Sequence, residues 1–216
     1  GSRVLLLSEP PVAAVDEMVA LDVEPAVYSP TVIDAVAAAA RAVGRTVDVH
    51  LKVDTGMHRV GVDPADAPDL ARRVEATDGV RLASVWTHLA VADEPDRPET
   101  AAQLARFDDA LVAVEAAGVE VPATHAANSA AALAHPGAWR DLVRVGIAVY
   151  GIDPSPALAG VVDLRPALRL VSEVSHVRRV PAGEGISYGL RYAPEVDTTV
   201  ATVSVGYADG VRRRLG

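Results

Sequence analysis

The sequence contains no cysteine, which excludes disulfides, thiolate metal ligands and a thiol nucleophile. It fits a reducing compartment. Positive charge is scarce relative to negative: the net charge is −9 over 216 residues, which excludes nucleic acid or an anionic membrane as the main partner. Lys52 is the only lysine, so almost every cationic side chain is an arginine. Aromatic residues make up 4% of the chain, so core volume has to come from Val, Leu and Ala. No apolar run is long enough to span a bilayer, and no signal peptide opens the chain. The six histidines show no metal-ligand spacing. Internal repeats, low-complexity tracts and long charge runs are also lacking.

What is there is an alternation of short apolar runs with helical patterns. Strands are expected at Arg3 to Leu7, Glu24 to Tyr28, Val47 to Val53 and Val80 to His88. Two more should end at Ala126-Ala127-Asn128 and at Val145-Gly146. Helices are expected from Val12 to Leu21, after Ser29-Pro30, from Ala65 to Ala76, from Glu99 to Gly118 and around Ala130 to Ala134. Ser29 supplies an N-cap and Gly44 a stop. This order predicts an α/β fold of parallel strands with crossover helices. Six strands with polar or glycine residues at their C-terminal ends point to a partial (β/α)8 barrel of the TIM type, with an open doubly wound sheet as the competing arrangement. After Pro154 the texture becomes β-branched and alternating, at Leu168 to Val180 and Thr198 to Val205, with no helix between. The expected division is a barrel portion at residues 1–155 and the start of an antiparallel β domain at 156–216.

The segment HLKVDTGMHRVG (50–61) places Lys52, Asp54 and Arg59 at a strand end and glycine turn. Arg59 could hold an anionic oxygen, since a guanidinium is always charged and forks well to oxygen. The three could equally form a structural ion network. His88 ends the next strand in WTHLAVAD (86–93), where it could serve chemistry or structure. His125 is read as structural. HAANSAAAL (125–133) leads from strand into helix, so Asn128 or Ser129 either caps that helix or faces a phosphate. Arg144-Val-Gly146-Ile147 gives a second glycine turn, in the region where this barrel type builds phosphate sites. Tyr188 lies in GISYGLRY (185–192) and Tyr207 in SVGYADGVRRRLG (204–216). Spacing alone assigns neither to catalysis.

Together these segments, with VRVGIAVYGI (143–152), resemble the alanine racemases in order and spacing over almost the whole chain. The resemblance implies an N-terminal (β/α)8 barrel entered at its third strand, a C-terminal β domain, and a homodimer whose sites are each completed by the partner's β domain. It implies pyridoxal 5′-phosphate (PLP) as cofactor, a small amino-acid substrate, and a cytoplasmic enzyme supplying D-alanine for peptidoglycan. Arg59 would contact the phenolic oxygen of PLP. Asn128 and Ser129, with the backbone at Gly146 and Ile147, would bind its phosphate. Arg144 would face the pyridine nitrogen, with His88 near the ring. Tyr188 would be the base on one face of the substrate. Tyr207 and Asp93 would line the passage by which substrate arrives, and Lys52 occupies the position often carbamylated. A phenol ionises near ~10, so a tyrosine base needs nearby positive charge, which Arg144 and His88 could supply.

The resemblance also implies a PLP-anchoring lysine on the first barrel strand, in a lysine-tyrosine-glycine context that nothing here matches. The chain is therefore expected to lack both that lysine and its base function, and to be inactive alone. His58 stands where a glycine is common. The competing readings are a serine or broad-specificity amino-acid racemase of the same fold, and a non-catalytic fragment.

Overall fold

The structure, a computed structural model, describes residues 3–212, so the last four residues of the 204–216 motif lie outside it. The chain forms two compact units divided between Ala167 and Leu168.

The first unit holds a five-stranded parallel sheet of β1 (Val4–Leu6), β2 (Val23–Val27), β3 (Val47–Lys52), β4 (Val80–Trp86) and β5 (Thr124–His125). Each strand lies beside its predecessor in sequence. A doubly wound sheet reverses direction at a switch point; this one does not, and it is a partial (β/α)8 barrel. The helices are α1 (Val15–Ala20), α2 (Pro30–Ala42), α3 (Ala67–Glu75), α4 (Glu99–Ala116) and α5 (Ser129–Ala134). Local chemistry sets their ends. Ser29 Oγ accepts from Val32 N ahead of Pro30, and Glu9 accepts the backbone N–H groups of Tyr28 and Ser29, both at 2.6 Å. Gly44 and Gly118, at φ 66° and 85°, follow the last turns of α2 and α4. The first helical segment starts later than the sequence pattern suggests: Val12–Ala14 is a 3₁₀ turn behind Pro11 before α1 begins.

One face of the sheet is apolar and packs on the helices. Val47, Val49, Leu51 and Val53 alternate along β3 and meet Ile33, Val36, Leu70 and Val74. The other face carries Glu24, His50, Lys52, Ser84, Trp86 and His125. A β-bulge makes this set possible. Val49 lies opposite Leu82 but His50 lies opposite Ser84, so Ala83 is an extra residue in β4. The extra residue shifts the alternation by one. Val80 and Leu82 face the helices before it and Val85 after it, so Ser84 and Trp86 turn to the polar side.

The expected sixth strand does not form. Residues 141–146 run beside β5, with Asp141 N bonded to Thr124 O at 3.1 Å and Arg144 N to Ala127 O at 2.9 Å. The Asp141 carboxylate, rather than a carbonyl, accepts the Thr124 N–H at 2.7 Å and so interrupts the ladder.

The second unit contains an antiparallel ribbon of β6 (Val174–Val180) and β7 (Thr198–Val203). The strand expected from Leu168 begins at Val174, because Leu168 to Glu173 have no strand beside them: β7 ends opposite Val174. A two-stranded ribbon cannot build a core of its own, and Val174 and Val177 remain exposed. Among the described residues no helix is long and apolar enough to cross a membrane.

Candidate active site

The C-terminal ends of β3, β4 and β5 and the stretch after α5 gather a cluster of cations around one aromatic ring. Lys52 is buried, with Nζ 4.5 Å from the centre of the Trp86 ring, and the Arg144 guanidinium carbon lies at the same distance. His125 stacks on Trp86 with ring centres 5.3 Å apart. The alternation that puts Lys52, Trp86 and His125 on one face therefore makes the site.

Arg144 is fixed by several bonds. Nη1 donates to His125 Nδ1 at 2.5 Å, and Nη2 to Thr87 O at 2.7 Å and Ala126 O at 3.2 Å. His88 Nδ1 lies 3.4 Å from Nη2. Arg144 Nε is buried with no partner, a donor held ready for an acceptor. Burial lowers the guanidinium to about 10, so Arg144 remains charged at neutral pH. Lys52 is lowered to about 8 by burial and then by the charges of Arg59 and Arg144. About a tenth of it is therefore the free amine at pH 7, against almost none for an ordinary lysine.

Arg59 has no hydrogen-bond or ion-pair partner among the described residues. The one carboxylate on its turn, Asp54, is occupied elsewhere: Oδ1 accepts the backbone N–H groups of Gly56, Met57 and His58, each at 3.0 Å. Burial works to raise Asp54, but those bonds and the His58 ring outweigh it and hold the carboxyl below its usual range. The turn closes over Gly61, where φ is 134° and a Cβ would meet Asp54 N at 2.8 Å. The ion network left open by the sequence among Lys52, Asp54 and Arg59 is therefore not present as direct pairs among the described residues.

The two histidines at these strand ends are neutral. Burial, then the charges of Arg144, Arg59 and Lys52, bring His88 to about 4. Burial, then Arg144 and His50, bring His125 to about 3. An imidazole whose folded pKa is depressed stabilises the fold fully above its unfolded value near ~6.5 and loses that contribution as pH falls toward the folded value. Unfolding by urea, followed by the fluorescence of Trp86 and Trp139, is expected to show a falling midpoint from pH 6.5 toward pH 4. The cost is at most about 1.4 kcal/mol per pH unit and histidine. A midpoint unchanged from pH 7 to pH 5 would show that these rings are not held neutral.

Ser129 is the first residue of α5 and is buried. Its Oγ accepts from Gly146 N at 2.8 Å and from Ala148 N at 3.5 Å, so the glycine turn and the serine form one element. Asn128 is the N-cap: Oδ1 accepts from Ala131 N and Nδ2 donates to Leu89 O. Its amide is thereby spent on structure. Ile147 is exposed beside Gly146. Asp93 lies on the loop after β4, where its carbonyl accepts from Ser155 Oγ at 2.6 Å.

Tyr188 and Tyr207 belong to the second unit. Tyr188 is 87% exposed and sits in a strained turn: Ser187 has φ 62° and ψ −165°, Gly189 φ 79° and Leu190 φ 48°. The Ile186–Tyr192 bridge closes that turn. Tyr207 starts a 3₁₀ turn capped by Asp209 on Gly206 N.

The sequence did not point to Gln103. This buried side chain of α4 donates to His88 O at 3.1 Å and to Thr55 Oγ1 at 3.4 Å, and accepts from Ala90 N at 2.8 Å. It ties the β3 turn to the β4 loop. The signal was available as a polar residue on the apolar stripe of a helix, one turn before Phe107.

Fold and cluster define a partial barrel of the (β/α) class with a group of cations at its strand ends. The N-terminal-domain model of alanine racemase matches residues 1–154, and the C-terminal-domain model matches residues 167–216. An alanine racemase of Symbiobacterium thermophilum is 49% identical over 175 residues, covering 81% of this chain and 46% of that protein. The crystal structure of alanine racemase from D-cycloserine producing Streptomyces lavendulae aligns at a TM-score of 0.88 with 42% identity, over 99% of this chain and 57% of that one. That of alanine racemase from Bacillus anthracis with bound L-Ala-P aligns at 0.82 with 31% identity, over 97% and 55%. The chain belongs to the alanine racemase family, a family of isomerases. It spans about half the length of the curated relatives it matches.

Proposed function

We propose that this chain supplies the PLP-contacting strand ends and one proton-transfer group of a protein that interconverts L- and D-alanine. The observation that carries the reading is the buried, unpartnered Nε of Arg144 in a group of cations that have no carboxylate bound to them. PLP fits that donor set, because its ring nitrogen, phenolic oxygen and phosphate are all acceptors. Arg144 would meet the ring nitrogen, Arg59 the phenolic oxygen, and Ser129 with the backbone at Gly146 and Ile147 the phosphate, near Asn128. Bound PLP supplies an electron sink for the electron pair left when the Cα–H bond of alanine breaks.

The chain's own groups set how that sink behaves. Arg144 holds its protons too tightly to give one to a ring nitrogen, so it donates a hydrogen bond and leaves a weaker sink. A weaker sink favours quick return of the proton over side reactions. Tyr188 takes the proton on one face of the substrate; His88, held neutral by burial, cannot supply the positive charge expected of it for that base. Lys52, lowered by burial and by the charges of Arg59 and Arg144, yields the free amine more readily than an ordinary lysine. Carbamylation there, by amine addition to carbon dioxide with loss of a proton, would put a negative charge where Arg59 needs a partner. Tyr207 and Asp93 line the approach, and a homodimer brings in the partner's β domain. The anchoring lysine and the second base come from outside these residues, so the chain alone is inactive.

A chimera tests this: residues 3–212 replace the matching segment of the Streptomyces lavendulae alanine racemase, which aligns over 99% of this chain. It is expected to interconvert the alanine enantiomers, with serine turned over more slowly. The isolated chain with PLP is expected to racemise nothing and, after borohydride reduction and peptide mapping, to carry no label on Lys52. A folded, PLP-binding chimera that leaves alanine untouched overturns the reading. One that prefers serine makes this a serine racemase, and a label on Lys52 makes it a differently wired PLP protein.

A further inference from the structure

Arg144 stands at the end of a hydrogen-bond chain that runs along the polar face of the sheet across four strands. Arg144 Nη1 lies 2.5 Å from His125 Nδ1, His125 Nε2 3.0 Å from Ser84 Oγ, Ser84 Oγ 2.7 Å from His50 Nδ1, and His50 Nε2 3.0 Å from Glu24 Oε2. His50, Ser84 and His125 are all buried. At the far end Arg3 holds both oxygens of Glu24, at 2.6 and 2.8 Å.

The chemistry of the two ends fixes every proton between them. A guanidinium only donates, so His125 Nδ1 accepts and its hydrogen is on Nε2. That N–H donates to Ser84 Oγ. The serine hydrogen is then free for His50 Nδ1, and His50 Nε2–H donates to Glu24. An ionised carboxylate only accepts, so the chain closes without a mismatch. Burial works to raise Glu24, but the bonds from Arg3 and His50 outweigh it and keep the carboxyl ionised. Burial likewise keeps His50 and His125 neutral. The reverse order would point His125 Nδ1–H at Arg144 Nη1–H, setting two donors against each other.

We propose that Glu24, His50 and Ser84 are positioning residues that act through His125 to hold Arg144 in place, keeping its Nε turned to the cofactor. This rests on the racemase reading for what Arg144 contacts, and it adds three residues that touch neither cofactor nor substrate. Arg144 at one end and the Glu24 carboxylate at the other set the direction of the relay, and Ser84 is the joint that carries it from one ring to the next. The bulge at Ala83 is what brings Ser84 into line.

The test has two arms. In the chain labelled with ¹⁵N-histidine, without PLP, ring shifts at pH 7.5 are expected to give His50 and His125 each as a single Nε2–H tautomer. Glu24→Gln can donate to His50 Nε2 as well as accept from it, so His50 is expected to lose its single tautomer while His125, whose Nδ1 Arg144 holds as an acceptor, stays Nε2–H. Ser84→Ala keeps the Glu24 and Arg144 contacts and is expected to leave both rings on Nε2–H, while the His125 Nε2–H loses its acceptor and its proton resonance moves upfield. It carries the test should Glu24→Gln not fold. Averaged tautomers in the unaltered chain, or a His125 Nε2–H resonance indifferent to Ser84→Ala, overturn the relay. In the chimera, both substitutions are expected to lower kcat about tenfold or more, as loss of an outer partner that orients a site residue does, and to move KM for alanine much less. Ser84→Cys, whose thiol donates weakly, should recover part of the loss. A His125 Nε2–H resonance moved by Ser84→Ala with unchanged kcat overturns the positioning role. An unsubstituted chimera that binds PLP but is inert, with the tautomers as expected, overturns the racemase reading and leaves the relay standing.

Discussion

Tyr188→Phe in the chimera is expected to slow alanine racemisation by about 10²–10⁴-fold, the contribution of a positioned acid–base group, while PLP still binds. The substitution removes one oxygen from a side chain that the second unit leaves 87% exposed, so stability should hardly change. What marks the residue is its backbone. Ser187, Gly189 and Leu190 all have positive φ, and a non-glycine residue in that region costs on the order of 1–3 kcal/mol. Such strain persists where the orientation of a side chain matters, and here it surrounds a phenol with no hydrogen-bond partner among the described residues. The equilibrium between enantiomers is one, so kcat/KM must fall equally in both directions. The informative readout is deuterium wash-in from solvent. A base on one face means that exchange from one enantiomer collapses, while the other still loses its proton to the base outside these residues. A variant within tenfold of the parent, or one that loses exchange equally from both enantiomers, removes Tyr188 from the chemistry.

The residues placed at strand ends were legible because a parallel strand announces both its core face and its end. Lys52, His88 and Arg144 could be set at a barrel mouth from the β-α alternation alone, and they meet there. Arg59 could be nominated from its glycine turn, but its lack of a carboxylate could not be foreseen. The reason lies in three backbone N–H groups that occupy Asp54, a matter of turn geometry. The sequence left the cap open between Asn128 and Ser129; it is Asn128, and Ser129 binds the Gly146 turn. The relay was hidden for another reason. His50 and Lys52 share a face by simple alternation, but Ser84 joins them only through the bulge at Ala83. Regular alternation would have put Ser84 with Leu82, toward the helices. His125 looked structural, and in stacking on Trp86 and receiving Arg144 it has a structural role that also serves the site.

Trp86→Ala is expected to cost about 3–5 kcal/mol of stability, the range for removing a large buried aromatic residue. Urea unfolding read by circular dichroism would measure it. The ring is 1% exposed and touches three polar groups. His125 stacks on it, and Lys52 and Arg144 each lie 4.5 Å from its centre. Two cations that crowd one site repel each other, and the electron-rich face of the indole offsets part of that repulsion. A desolvated contact of this kind is worth up to about 2 kcal/mol. Two further variants separate packing from charge. Trp86→Phe keeps an aromatic face and removes an indole N–H that is buried without a partner. Trp86→Leu keeps apolar contact but offers no face to the cations. If packing alone matters, the two should cost similar amounts. If the ring holds the cations, Trp86→Leu should be the less stable by about 1–2 kcal/mol, and Lys52 should titrate lower still. An alanine variant within about 1 kcal/mol of the parent would mean that the ring supports neither the core nor the cluster. The same comparison bears on function, because Arg144 is held from one side by His125 and from the other by this ring. Losing the ring should therefore loosen Arg144 even where the relay behind it is whole.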